Sequence, residues 1–164
     1  MSVDLTFLAD GHRVNIRTAA IIKHEGYILC DNEVGTEFSF LPGGRISRGE
    51  NSAEALIREM REELGVEVKP KRPLIITESF FDGVQNERFH ELAFYYVVPK
   101  PAALPFTPNE ICHSHVENGA EYQFSWQEAS LTNLRRVRLE PVALHQQFID
   151  LPTEPVHFVI NEVD

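Results

Sequence analysis

Cysteine is scarce: Cys30 and Cys112 are the only two in 164 residues. Two thiols make no disulfide framework, so they leave the redox compartment open. Cys30 closes the apolar run "YILC" and reads as a small buried hydrophobe. Long apolar runs are also missing, and no stretch is long enough to cross a bilayer as a helix. The opening "MSVDLTFLAD" carries an acid where a secretion signal carries positive charge, so a cytoplasmic protein without membrane contact is expected. Positive charge is the third scarcity, with 15 Lys and Arg against 25 Asp and Glu and a net charge of −10. That balance argues against stable nucleic-acid binding, which draws its affinity from many cationic contacts to phosphates. It leaves room for a small phosphorylated substrate, because cations can mediate between acidic side chains and phosphate. The basic clusters "KPKRP" (69–73) and "RRVR" (135–138) read first as solvated turns, with phosphate steering as the alternative.

Apolar content of 43% and 11 phenylalanines suit a packed core in one domain spanning residues 1–164. "RVNIRTAAIIKHEGYILCDNE" reads as two strands around a tight turn at "HEG". "LIITESFF" and "RFHELAFYYVV" form a second hairpin around Asp82-Gly83. The stretch from Pro99 to Glu121 holds four prolines and no clear period, and reads as a long loop or lid. "YQFSW" (122–126) is a short strand, "EPVALHQQFID" an amphipathic C-terminal helix, and "VHFVI" (156–160) an edge strand. No internal repeat or domain boundary is visible. These elements predict a mixed α/β (α+β) fold, a curved mixed sheet packed between helices.

Residues 52–64 predict a helix. Asn51 and Glu54 make a capping-box pattern, and Gly65 stands where a left-handed residue ends a helix. Ala53, Leu56, Ile57, Met60 and Leu64 make one apolar stripe. Beside it Glu59, Glu62 and Glu63 share an arc of roughly 100°, with Ser52 and Ala55 on the same side. Like charges at these spacings cost a few tenths of a kcal/mol per pair in an isolated helix. A divalent cation reverses that sign, since oxygen-only carboxylate clusters suit Mg²⁺ or Mn²⁺. Arg58 and Arg61 offset part of the repulsion, which is how a merely solvated face would also look. The lead-in "LPGGRISRGE" changes the balance. Gly43 and Gly44 bare the backbone where an ion or phosphate can approach, and Glu50 sits at the helix start, placed to orient Arg58.

Read together, Gly44, Glu50, Arg58-Glu59-Met60, Glu62-Glu63 and Gly65-Val66 fill the pattern G-x5-E-x7-R-E-U-x-E-E-x-G-U, where U is aliphatic. No fixed position departs from it. The chain thus resembles the Nudix hydrolase superfamily, MutT-like enzymes with an α/β/α sandwich. The box itself covers residues 44–66, and the flanking strands and C-terminal helix fit the same fold.

The resemblance implies metal-dependent hydrolysis, with Mg²⁺ or Mn²⁺, of a nucleoside diphosphate linked to another moiety: a nucleotide, an oxidised nucleotide, or a nucleotide sugar such as ADP-ribose. It assigns the metal to Glu59, Glu62, Glu63 and the Gly43 carbonyl. Glu59 or Glu62 is the candidate proton acceptor, and Arg58 paired with Glu50 holds the helix to the loop. Members often recruit a further carboxylate from outside the box, for which Glu117 and Glu121 are the candidates. Arg17, Glu78 and His90 are candidate substrate contacts. Homodimers are common among relatives, so a homodimer is an expectation too. Markers of the ADP-ribose, diadenosine polyphosphate, coenzyme A and NADH subgroups are absent, which leaves the leaving group open. The alternatives are a catalytically silent nucleotide-binding module and an isoprenyl-diphosphate isomerase-like role, for which Cys30 and Cys112 are poorly placed. "CHSH" (112–115) lacks the second ligand pair a structural zinc site needs.

Overall fold

The structure, a computed structural model, describes residues 2–163. Met1 and Asp164, the two ends of the expected 1–164 domain, lie outside the described residues. Along the chain run β1 (Thr6–Ala9), β2 (His12–Ile21), β3 (Lys23–His24), β4 (Tyr27–Glu33), β5 (Gly43–Arg45) and helix α1 (Ser52–Leu64). Then come β6 (Ile75–Asp82), β7 (Arg88–Val97), β8 (Ile111–Glu117), β9 (Ala120–Glu128), α2 (Leu131–Arg136), α3 (His145–Ile149) and β10 (Val156–Asn161).

One sheet has the order β1-β2-β7-β6-β10, with short β5 paired to β2. β2 lies parallel to β7, β6 antiparallel to β7, and β10 parallel to β6 at the edge. The second sheet has the order β3-β4-β9-β8. Side chains alternate along β2, so its two faces feed two cores. Ala19 and Ile21 join Leu134, Leu144 and Phe148, from the α2 and α3 side. Ala20 and neighbouring Ile22 join Leu56, Met60, Leu64, Phe124 and Trp126, where α1 is held between the two sheets. The mixed sheet between helices is therefore the one expected from the sequence.

Helix α1 is closed at both ends by its own sequence. The Asn51 side chain accepts from the backbone N–H groups of Ala53 and Glu54, each at 3.0 Å, and Glu54 accepts in return from Asn51 N at 2.8 Å. Gly65 takes the left-handed conformation (φ 65°), and its N–H reaches the Arg61 carbonyl at 3.1 Å. Packing from both sides buries Ala55 fully with Leu56, Met60 and Leu64, while Ala53 and Ile57 stay half-buried. The apolar arc is thus shifted from the expected one, and Ala55 is core rather than part of the acidic wall. Cutting Leu56 back to alanine would cost about 2–5 kcal/mol.

Three elements differ from the sequence-based expectation. The Pro-rich loop is shorter than expected, because strand β8 occupies Ile111–Glu117 and returns through Asn118-Gly119, both at positive φ (49° and 82°). Asn-Gly is a strong hairpin signal, but β8 is a half-exposed edge strand with no hydrophobic alternation to announce it. Asp10-Gly11 makes the equivalent turn between β1 and β2. The C-terminal helix is a 3₁₀ turn (Val142–Leu144) followed by the five-residue α3.

Candidate active site

Arg58 organises the front of α1. Its Nε and Nη2 bind Glu50 at 3.1 and 2.6 Å, and Nη2 also reaches the Arg45 carbonyl at 3.0 Å. Its Nη1 donates to Glu59 at 2.7 Å and to Glu62 at 3.2 Å. These bonds engage all three nitrogens of the guanidinium, a planar fork that a lysine cannot replace. Glu50 is fixed from its other side by the Ser47 N–H at 2.7 Å. The Arg58 bonds hold the Glu50 carboxyl below its ordinary range and raise the guanidinium's own pKa further. The loop 45–50 and the first turns of α1 are thereby one clamped unit.

Beyond the clamp lies an acidic wall. The Glu59 side chain is 13% exposed, whereas that of Glu62 is 54% exposed. Burial raises the Glu59 pKa, and Arg58 partly offsets this. Glu63 is pushed up to about 9, first by burial and then by the charges of Glu59, Asp31 and Glu117. Asp31, two residues beyond buried Leu29 on β4, is pushed up to about 7 by burial, with Arg17 opposing. One oxygen of Glu63 and one of Asp31 are buried with no hydrogen-bond partner. These carboxylates repel one another and want a shared positive charge.

Among the described residues, no three His, Cys, Asp or Glu side chains are already gathered around one point. Arg58 engages Glu59 and Glu62 instead. The donor set still fits a hard divalent cation. It is all oxygen, it includes orphaned buried carboxylate atoms, and the backbone beside it is bare. A Cβ on Gly44 would stand 2.4 Å from the Glu59 carboxylate, so only glycine lets β5 lie against that group. Gly43, next to it, pairs with Ala19 of β2.

Arg17 links the wall to a cavity of about 530 Å³ on the other face of the large sheet. Its charge acts on both Asp31 and Glu63, its Cζ lies 5.8 Å from the centre of the Phe40 ring, and its Nε is buried without a partner. Phe38, Phe81, Tyr95, Ser79 and Glu91 also line the cavity. The Asn15 amide donates to Glu91 at 2.7 Å and so orients it. The cavity offers aromatic faces, a cation and carboxylate acceptors within one concave space.

The other residues expected at the site are dispersed. The structure brings Glu117 close enough for its charge to act on Glu59 and Glu63. Glu121 is exposed on β9 and accepts from Gln123 at 3.3 Å. Glu78 and His90 sit on alternate positions to Ser79 and Glu91, so the pleat turns them from the cavity. Glu78 instead bonds His157 of β10 at 2.8 Å, and the His90 ring packs 4.4 Å from that of Phe80. Cys30 is fully buried, and that burial pushes its thiol well above the ordinary range. Asp31 is the carboxylate that sequence reading passed over. Its signal is its place on the same strand face as buried Leu29.

A NUDIX domain profile matches residues 14–143. Over 82 residues the chain is 34% identical to the low-salt glycan biosynthesis protein Agl8 of Haloferax volcanii, a match covering 45% of this chain and 53% of that protein. It thus spans about half the length of this curated relative. A MutT protein from Bacillus halodurans superposes with a TM-score of 0.64 at 14% identity, over 90% of this chain and 89% of that one. An ADP-ribose pyrophosphatase from Streptococcus suis gives a TM-score of 0.52 at 18% identity, over 90% and 98%. At these identities the two solved structures speak for the fold alone. The profile across most of the chain, the complete box and the helix that carries it together make this chain a member of the Nudix hydrolase family.

Proposed function

We propose that the chain, working as a single domain, is a pyrophosphohydrolase. It cleaves the diphosphate linkage of a nucleoside diphosphate joined to another moiety, with Mg²⁺ or Mn²⁺ as cofactor. The observation that carries this reading is the union of the acidic wall with Arg17 and the cavity behind it. Glu59, Glu62, Glu63 and the Gly43 carbonyl are the groups assigned to hold the cation, with Asp31 and Glu117 adding negative charge. When bound, the cation supplies charge neutralisation of the phosphates and a more acidic water.

The chain's own residues do the remainder. Arg17 receives a phosphate oxygen and brings the linkage to the wall. Phe40, Phe81 and Tyr95 cover the faces of the nucleoside, and Glu91 accepts hydrogen bonds from its edge. Water attacks one phosphorus, its proton passes to Glu59 or Glu62, and the bridging P–O bond breaks to leave two phosphate products. Arg58 keeps both of those carboxylates in position. The name of the Haloferax relative concerns glycan biosynthesis, which favours including nucleotide sugars with ADP-ribose and oxidised nucleotides among the substrates tried.

The test is product analysis by ion-exchange chromatography after incubation with that panel in Mg²⁺ or in Mn²⁺. The reading expects a nucleoside monophosphate and a second phosphorylated fragment. Nucleotide binding with no product across the panel would replace it with a silent nucleotide-binding module.

A further inference from the structure

Lys23, Lys69, Lys71 and Lys100 are the only lysines of the chain. All four line one cleft of about 830 Å³, joined there by Arg72. Glu67 is the one carboxylate in the lining, and Arg61 engages it at 2.7 and 3.0 Å. The arginines elsewhere mostly pair with carboxylates: Arg13 with Glu87, Arg45 with Asp4, Arg88 with Asp82. Among the described residues no lysine makes an ion pair. In a chain of net charge −10, five cations are thus gathered in one concavity, and acidic partners are abundant everywhere else.

The neighbourhood is otherwise uncommitted. Lys23 donates to the Ile149 carbonyl and feels Asp150, Lys100 donates to the Pro101 carbonyl at 3.2 Å, and Arg72 reaches Glu154 at 3.7 Å across solvent. Lys69 and Lys71 are exposed, and among the described residues neither side chain has a hydrogen-bond partner. Leu74, Val97, Pro99, Pro101 and Leu151 make an apolar wall that thins the water around the ammonium groups. The cleft lies where β6 begins and β7 ends, whereas the Arg17 cavity reaches from Tyr95 to the far end of β6. Phe81 and Asp82 of that cavity lie roughly 20 Å along β6 from Leu74 of the cleft, while Tyr95, bonded to Leu74, is part of the wall between the two.

We infer that this cleft is a second, non-catalytic anion site that takes a phosphate chain, that of a nucleoside polyphosphate or of free inorganic polyphosphate. Four lysines to one arginine suit this chemistry. Ammonium groups act as movable point charges for an anion with many oxygens, whereas a carboxylate is better matched by the arginine fork. The concavity is open to solvent, and its volume of about 830 Å³ lies within the range of small-molecule sites.

The probe is inorganic tripolyphosphate, titrated calorimetrically into the full chain in EDTA, where the acidic wall repels it. Binding is expected, weakening as salt rises, and falling about tenfold or more in Lys69→Gln/Lys71→Gln. An unchanged melting temperature in that variant shows the fold intact, and Lys100→Gln serves as an independent second variant. Arg17→Gln should bind as the parent does. No binding, equal binding in both lysine variants, or loss in Arg17→Gln overturns the inference. Capture of an oligoglutamate peptide through the same lysines, without tripolyphosphate binding, overturns it in favour of an acidic peptide. ATP competing with tripolyphosphate supports the nucleotide source, and its failure to compete supports the free polyphosphate source.

Discussion

Gly43 and Gly44 are neighbours on β5, yet adding one methyl group to each should do opposite things. A Cβ on Gly43 meets the Thr18 carbonyl oxygen at 2.1 Å and the Ala19 Cα at 2.7 Å. Both are backbone atoms of β2, so β5 must leave its partner strand. A cost of about 3 kcal/mol follows for overpacking against atoms that cannot rotate away. In a chain of this size that lowers the melting temperature by roughly 6–12 °C. The three atoms nearest a Cβ on Gly44 all belong to the Glu59 carboxylate, the first at 2.4 Å. That group can swing aside by about 1 Å to reach ordinary contact, at roughly 1 kcal/mol of rotamer strain. It then leaves Arg58 and the acidic wall. A misplacement of that size at the reacting centre costs about 10²-fold in rate. Thermal melting by circular dichroism and a coupled phosphate-release assay on both alanine variants measure the split. Gly43→Ala should lose stability first, and Gly44→Ala should melt within a few degrees of the parent and lose turnover. Full turnover in Gly44→Ala would refute the placing of Glu59 in the mechanism.

Three other outcomes follow from the site. Arg58→Lys should lower turnover sharply and reduce stability, since one ammonium cannot bind Glu50, Glu59 and the Arg45 carbonyl together; a variant that matches the parent in both assays would dismiss the clamp. Without metal, the raised Glu63 and Asp31 carboxyls bind protons more tightly folded than unfolded. Their contribution is then whole below the ordinary carboxylate range and is lost as pH rises through about 7 and about 9, so denaturant midpoints in EDTA should fall over that window, and Mn²⁺ should restore them. At a pH above about 9, where both carboxyls are ionised, Asp31→Asn removes one repelling charge beside Glu63, so it should raise the melting temperature in EDTA while shrinking the rise that Mn²⁺ produces; a fall in EDTA there would show that Asp31 is held by attraction.

The parts that were legible in the sequence are those whose signals are local. Asn51, Glu54 and Gly65 bound α1 within one residue of its observed ends, because capping bonds span only three or four positions. The clamp of Arg58 on Glu50, eight positions away, follows from the box spacing. What escaped depends on register and on long-range packing. The large sheet is covered on both faces, so β6 and β7 carry apolar and polar residues on either side, and nothing local says that Ser79 and Glu91 face the cavity while Glu78 and His90 do not. Asp31 comes to act on Glu63 only because its strand β4 and helix α1, separate in the chain, share one core through Leu29 and Met60. The hairpins at Asp10-Gly11 and Asn118-Gly119 were written in their turn residues, but their strands lie at sheet edges where alternation is weak.

The central claim is that the wall on α1 exists to hold a divalent cation for phosphoanhydride hydrolysis. It is met most directly by titrating Mn²⁺ against turnover of the best nucleoside-diphosphate substrate, with the parent chain and Glu63→Gln side by side. The account predicts no turnover in EDTA, a saturable rise with Mn²⁺ in the parent, and a folded Glu63→Gln with most of that rise gone. Turnover that persists in EDTA, or a Glu63→Gln that responds to Mn²⁺ as the parent does, would contradict it.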